Sequence, residues 1–303
     1  MGDATDQDRF AEVFLPHLVD AFRLARWLAG SRADAEDIVQ ECFLRFHRAR
    51  PEEAVRSLKA YLGTITARLS FNRLRDQRAR RETYVGEWLP EPIATADEPG
   101  VKAEDVSFAL LMVLERLSPI ERVIFVLRSA FDFNFAEIGK VVGRDAAVCR
   151  KAFSRARLRV LAEKPRFSVP RERHLALVRG FSEATRGQDL NRLVSLLHEN
   201  AVLHGDGGGK ALTAKKPIIG GPAVAQFVLA ATRARPVGTF VTEIDLNGAP
   251  GLILRWEEPG RVAAAFLFET DGERIRSIFS IANPDKLAAL SLALRQQPIS
   301  DRN

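Results

Sequence analysis

Apolar and polar positions along the chain change period twice, and the changes mark the domains. Between residues 117 and 160 the repeat is helical in three runs. Ser118-Pro119-Ile120-Glu121 opens the first, with serine at the N-cap, proline just inside and glutamate at the capping-box position. Residues 135–142 form a short second run, and Gly143-Arg144-Asp145 makes the turn. Cys149, Phe153, Ala156 and Val160 then recur at helical spacing as one apolar stripe. The outer face of that third run carries Arg150, Lys151, Ser154, Arg155 and Arg157. A short helix, a glycine-containing turn and a cationic second helix predict a helix-turn-helix that reads the major groove. A merely solvated basic helix is the alternative for any single helix; the pairing and the turn favour the DNA reader.

Upstream, residues 7–50 predict two helices. Phe10, Val13, Phe14, Leu18 and Phe22 form one stripe; Ala35, Ile38, Val39, Cys42, Phe43 and Phe46 form the expected buried face of the next helix. Its remaining face shows Asp34, Asp37, Gln40 and Glu41, which on these residues alone is either solvated or a docking strip. Residues 57–81 are different in kind: from Arg68 to Arg81 there are six arginines against one acid, Asp76. Tyr61 and Phe71 are interleaved with Thr64, Thr66, Ser70 and Asn72. Cations that follow phosphates, combined with aromatics, suit unstacked DNA, although either aromatic also suits a core.

Residues 82–107 are proline-rich and linker-like, yet Trp88-Leu89-Pro90-Glu91-Pro92 lies within them. A free tether gains nothing from tryptophan and leucine, so this segment is expected to dock. After a second boundary at residues 164–170 the period changes again. Helices are predicted at 174–185, 190–197 and 222–232. Four alternating runs follow, starting near Phe240, Leu252, Val262 and Ile275, with Asn247-Gly248 and Asp271-Gly272 as hairpin turns. An α+β domain results, with helices over one face of a curved antiparallel sheet.

Composition narrows the classes. The chain has 303 residues, 46% hydrophobic and 28% charged, enough for two or three domains. A net charge of +6 suits a polyanionic partner. Cys42 and Cys149 sit in apolar stripes, so neither a disulfide nor a metal cluster is expected, and a reducing cytosol is the simple location. The N-terminus lacks an apolar signal core, and no run approaches a membrane span.

The order acidic helix, arginine/aromatic helix, linker, helix-turn-helix resembles a bacterial RNA polymerase sigma factor of the extracytoplasmic-function (ECF) group. Residues 34–41, DAEDIVQE, resemble that group's core-polymerase-binding helix, although Phe46-His47 stands where a tryptophan is common. Trp88–Pro92, Asp206-Gly207-Gly208-Gly209-Lys210 and Asn283-Pro284-Asp285-Lys286-Leu287 resemble three signatures of members that carry a fused SnoaL-like extension, of the nuclear-transport-factor-like cone class. The resemblance implies a multidomain chain: two all-α domains, at residues 7–81 (region 2) and 108–164 (region 4), a linker at 82–107, and an α+β SnoaL-like domain at 171–290. It implies core RNA polymerase and promoter DNA as partners. Asp34, Asp37, Gln40 and Glu41 would meet polymerase; Arg68, Asn72, Arg73, Arg75 and Arg78 would hold the −10 strand; Arg150, Lys151, Ser154, Arg155 and Arg157 would read the −35 element.

Three chemistries compete at the extension. A P-loop fails, because His204 stands where the first glycine is required and Ala211 where serine or threonine should hold magnesium. His204 and Asp206 could shuttle a proton, as pocket residues of cone-fold isomerases do. The favoured reading makes the glycine run a close-approach loop. No enzymatic activity, cofactor or metal is then expected. Instead Trp88, Leu89, Pro90, residues 206–210 and residues 283–287 would form a regulatory contact between the extension, the linker and the sigma domains. A one-component regulator sensing a small ligand in the cone is the rival reading.

Overall fold

Amphipathic stripes of small residues draw the first helices together. The computed structural model describes residues 3–49, 57–81, 83–94, 107–163, 169–258 and 260–295; the side chains of residues 3–14, 49, 80 and 163 lie outside that set. The chain forms two compact units: Met1–Glu82 with Leu110–Lys164, and Thr83–Ala109 with Pro165–Asn303. In the first, α1 (Asp3–Ala29) and α2 (Arg32–Ala49) meet through Ala21, Ala25 and Ala29 against Ala35, Ile38 and Val39. Then α3 (Leu58–Arg81) adds Leu62, which packs on Cys42 and the fully buried Phe46. Phe43, expected on the buried face, is exposed; Cys42 and Phe46, one turn apart, fill that contact without it. The stripe positions Phe10, Val13 and Phe14 fall outside the described side chains.

Four further helices follow: α4 (Phe108–Arg116), α5 (Pro119–Ala130), α6 (Phe135–Val142) and α7 (Ala146–Glu163). The Ser118–Glu121 capping box at the start of α5 is present in both directions. Asn134 and Glu137 form a second one at α6, which the sequence reading did not anticipate. Gly143 ends α6 in the left-handed conformation at φ 68°, which turns the chain into α7.

The two helical segments share one core. Leu24 and Leu28 of α1 and Ala67, Phe71 and Leu74 of α3 belong to the same cluster as Leu114, Val123, Leu127, Ile138, Cys149 and Ala156. Phe71 is therefore core here. A buried charge network crosses the same seam. Arg122 of α5, only 1% exposed, donates to Glu115 at 2.8 Å and to the Trp27 carbonyl at the end of α1 at 3.0 and 3.3 Å. Arg81 of α3 pairs with the other Glu115 oxygen. A guanidinium this deeply buried is stable only with such partners.

In the second unit, α8 (Arg171–Arg186), α9 (Leu190–Leu196), β1 (Leu197–Asp206), β2 (Ile218–Ile219) and α10 (Gly221–Arg233) precede the meander β3 (Thr239–Leu246), β4 (Ala249–Trp256), β5 (Val262–Thr270) and β6 (Ile275–Ile281), and α11 (Pro284–Arg295) follows. The strand order is β2-β1-β6-β5-β4-β3. One face packs on α8–α10 through Leu177, Phe181, Leu203, Ala225, Phe268 and Ile278. The α+β class holds, with two corrections. The sheet is mixed, since β1 runs parallel to β6, and it has six strands where four were expected. Of the two missed strands, β2 is only two residues long; β1 buries Ala201, Leu203 and Gly205 in alternation, but the polar run His198-Glu199-Asn200 at its start disguises it as a loop.

Candidate functional site

The most elaborated polar site lies at the end of β1, on the sheet face opposite α8–α10. Asp206 is fully buried there, and its backbone carbonyl receives the amides of Ala282 and Asn283, tying β1 to the start of α11. Its carboxylate accepts three bonds. Lys286 Nζ donates at 2.6 Å from α11. The other two come from the linker: the Leu89 amide at 2.9 Å and the Tyr84 hydroxyl. Lys286 also donates to the Leu89 carbonyl, and its ammonium lies 3.6 Å from the centre of the Trp88 ring. Burial, and then the bond to the Asp206 carboxylate, push the Tyr84 phenol well above its ordinary range.

Residues 83–94 thus form a strap. Beyond the Asp206 clamp, Glu87 meets His204 Nδ1 at 2.9 Å, and His204 stacks on Phe279. Leu89 is completely buried, and residues 90–94 are buried after it. A second clamp holds the far end: the Asn247 side chain accepts from the Ile93 amide at 3.0 Å, and the Asn247 amide donates to the Ile93 carbonyl at 2.8 Å. An isolated bridge between Ala94 and Leu246 continues it onto the β3 edge.

The glycine run has a geometric reason. Gly208 and Gly209 take φ values of 59° and 72°, where L side chains are strained. A Cβ on Gly208 would lie 2.5 Å from the Asn283 amide nitrogen, and one on Gly209 would lie 3.2 Å from Val85 of the strap. Asn283 in turn donates to the Tyr84 hydroxyl at 2.7 Å, and Lys210 pairs with Asp285 at 2.5 Å. The three separated signatures therefore converge on one site. Tyr84, Glu87 and Asn247 belong to it but were missed by the sequence reading; their partners lie more than a hundred residues away, and no local pattern announces them.

The first unit carries the cationic faces. Arg150, Lys151, Ser154, Arg155 and Arg157 are all exposed on α7. The Arg150 guanidinium lies 5.9 Å over the Phe135 ring, while the Ser154 hydroxyl donates to the Arg150 carbonyl. On α3, Arg68, Asn72, Arg75 and Arg78 are exposed, and Arg68 donates to the Lys140 carbonyl of α6 at 3.1 Å. Arg73 is turned inward: it donates to Asp34 at 2.6 Å, and Asp34 also accepts from Gln77. Asp34 and Arg73 thus join α2 to α3. On α2, Asp37 and Gln40 are exposed and Glu41 pairs with Arg45 at 2.7 Å, beside the exposed Phe43 and Leu44. Among the described residues no helix is long and apolar enough to cross a membrane.

A helix-turn-helix with an open basic face, and a second arginine-rich helix in the same chain, define a promoter-reading protein of the transcription-initiation class. Family models bear this out: sigma-70 region 2 matches residues 13–80, and sigma-70 region 4 matches residues 107–160. The sequence is 37% identical over 302 residues to the ECF RNA polymerase sigma factor SigJ of Mycobacterium tuberculosis, covering 94% of each chain. The fold is similar to the crystal structure of M. tuberculosis SigJ, with a TM-score of 0.70 and 33% identity over 91% of this chain and 97% of that one. The chain belongs to the ECF RNA polymerase sigma factors, which direct transcription initiation.

Proposed function

We propose that this sigma factor is controlled from within, by docking of its own linker on its C-terminal SnoaL-like domain. In this reading the domains are region 2 at 7–81, the linker at 82–107, region 4 at 108–164 and the regulatory domain at 171–290, working in the cytosol. Asp37, Gln40 and Glu41, with Asp34 bracing the helix from beneath, form the polymerase face, where rim charges orient docking more than they add affinity. Arg68, Asn72, Arg75 and Arg78, with Arg73 as a brace, hold the −10 strand. The α7 cations read the −35 element. The C-terminal domain acts by binding and not by catalysis, since its buried polar groups at Asp206 are engaged by the strap.

The observation that carries the proposal is the double clamp on residues 83–94 at Asp206–Lys286 and Asn247. Promoter geometry gives it a consequence. The −10 and −35 elements lie about 25 base pairs, roughly 85 Å, apart on B-DNA. A unit the size of the closed helical one has a radius of gyration of about 14 Å, so its two reading helices reach both elements only after regions 2 and 4 separate. Fully extended, residues 82–107 span roughly 85 Å; with 83–94 clamped the remainder spans about half that.

Transcription in vitro with core polymerase tests this. The full chain is compared with Lys286→Met, which weakens the clamp while leaving both DNA-reading faces untouched. The variant is expected to give several-fold more promoter-specific transcript at equal polymerase occupancy. Equal output from the two proteins would overturn control by the linker, and failure of either to bind core polymerase would overturn the polymerase face.

A further inference from the structure

Four of the hydrogen bonds that seat the strap are made to its backbone, at Leu89 and Ile93. At Leu89 the amide donates to a carboxylate and the carbonyl accepts from an ammonium, so one residue's two peptide groups are read by a buried ion pair. The reader is built for this: Asp206 is fully buried and the Lys286 side chain only 9% exposed. Leu89 is fully buried beside the clamp, and the Trp88 ring lies under the ammonium. Two of the three donors to the Asp206 carboxylate belong to the strap, so lifting it strips a buried carboxylate of most of its partners. Such a group binds any replacement donor strongly, because charge-assisted hydrogen bonds are the strong ones.

We propose that the Asp206–Lys286 pair is a ligand site for secondary amides, occupied in this state by the linker as a resident and displaceable ligand. The class it takes is a short extended peptide, or a peptide-like amide, with an aromatic residue followed by a branched aliphatic one. A ligand of that class would compete with Trp88–Leu89 and free the linker, which would let the protein respond to a small molecule without catalysis. This rests on the strap reading above. It adds that the same site accepts a ligand in trans. Tethering gives the linker an effective concentration in the millimolar range, so a free ligand competes well only where the strap is weakened.

The probe is the acetylated, amidated peptide of residues 84–94 carrying a fluorophore, titrated by anisotropy into full-length chains. Saturable binding is expected with Leu89→Ala, at least about tenfold tighter than with the wild type. The same peptide N-methylated at the leucine lacks the donor to Asp206. It is expected to bind at least about tenfold more weakly, as is the unmodified peptide to a Leu89→Ala, Asp206→Asn chain. The N-methyl arm leaves the protein unaltered and so stands even if the double variant folds poorly. No binding to Leu89→Ala, or equal binding of the two peptides, would overturn the ligand site. Hydrogen exchange separates this from failure of the strap itself. Slow exchange of the Leu89 and Ile93 amides in the wild type with no peptide binding defeats only the ligand site; fast exchange of both defeats the strap as well.

Discussion

Asp206 shows how much a single carboxylate can organise. Its backbone joins β1 to α11, and its side chain joins both to the linker. Tyr84 makes the arrangement sensitive to pH. Because burial and the neighbouring carboxylate raise the phenol above its unfolded value near 10, its contribution to docking is complete below about pH 10 and is lost as pH rises through the raised value. Trp88 fluorescence is expected to report strap release in that alkaline range. Tyr84→Phe should abolish the step and weaken docking at neutral pH by roughly 1–2 kcal/mol. An alkaline transition of the same midpoint in Tyr84→Phe would exclude Tyr84 as its origin.

At the scale of elements, what could be read in the sequence was what is local. The capping box at Ser118, the turn at Gly143 and the α7 stripe each need only neighbours a few residues apart, and all three are present. The hairpin at Asn247-Gly248 was equally legible, with φ values of 52° and 78°. Strand β1 was hidden because three consecutive polar residues, His198, Glu199 and Asn200, break the alternation at its start. The parallel pairing of β1 with β6 was hidden because its register is set by residues some seventy positions away. Phe43 was misplaced because a stripe fixes a helix face only to within one residue. The α7 face supports a separable prediction. Arg150→Ala is expected to relax preference at one −35 base pair by about 1–3 kcal/mol, whereas Arg155→Ala weakens all sequences alike and lowers the salt slope by about one. Binding of a −35 duplex library across salt concentrations measures both, and a uniform loss for Arg150→Ala would assign it to phosphate.

At the scale of the molecule, regions 2 and 4 are held together by a common core and by a buried network from Arg122 through Glu115 to Arg81. Nothing in the sequence announces this seam: the α3 residues that enter it, Ala67, Phe71 and Leu74, have the same spacing they would need to serve region 2 alone. Buried ion networks add little net stability compared with apolar packing, and their best-attested use is to specify one arrangement out of several.

Amide hydrogen exchange at Leu89 and Ile93, followed in the free protein and in the initiating complex with core polymerase and promoter DNA, tests linker control most directly. Both amides are expected to be strongly protected in the free protein and to lose that protection by at least about a hundredfold in the complex. Undiminished protection at both positions in a complex that is making transcript would contradict it.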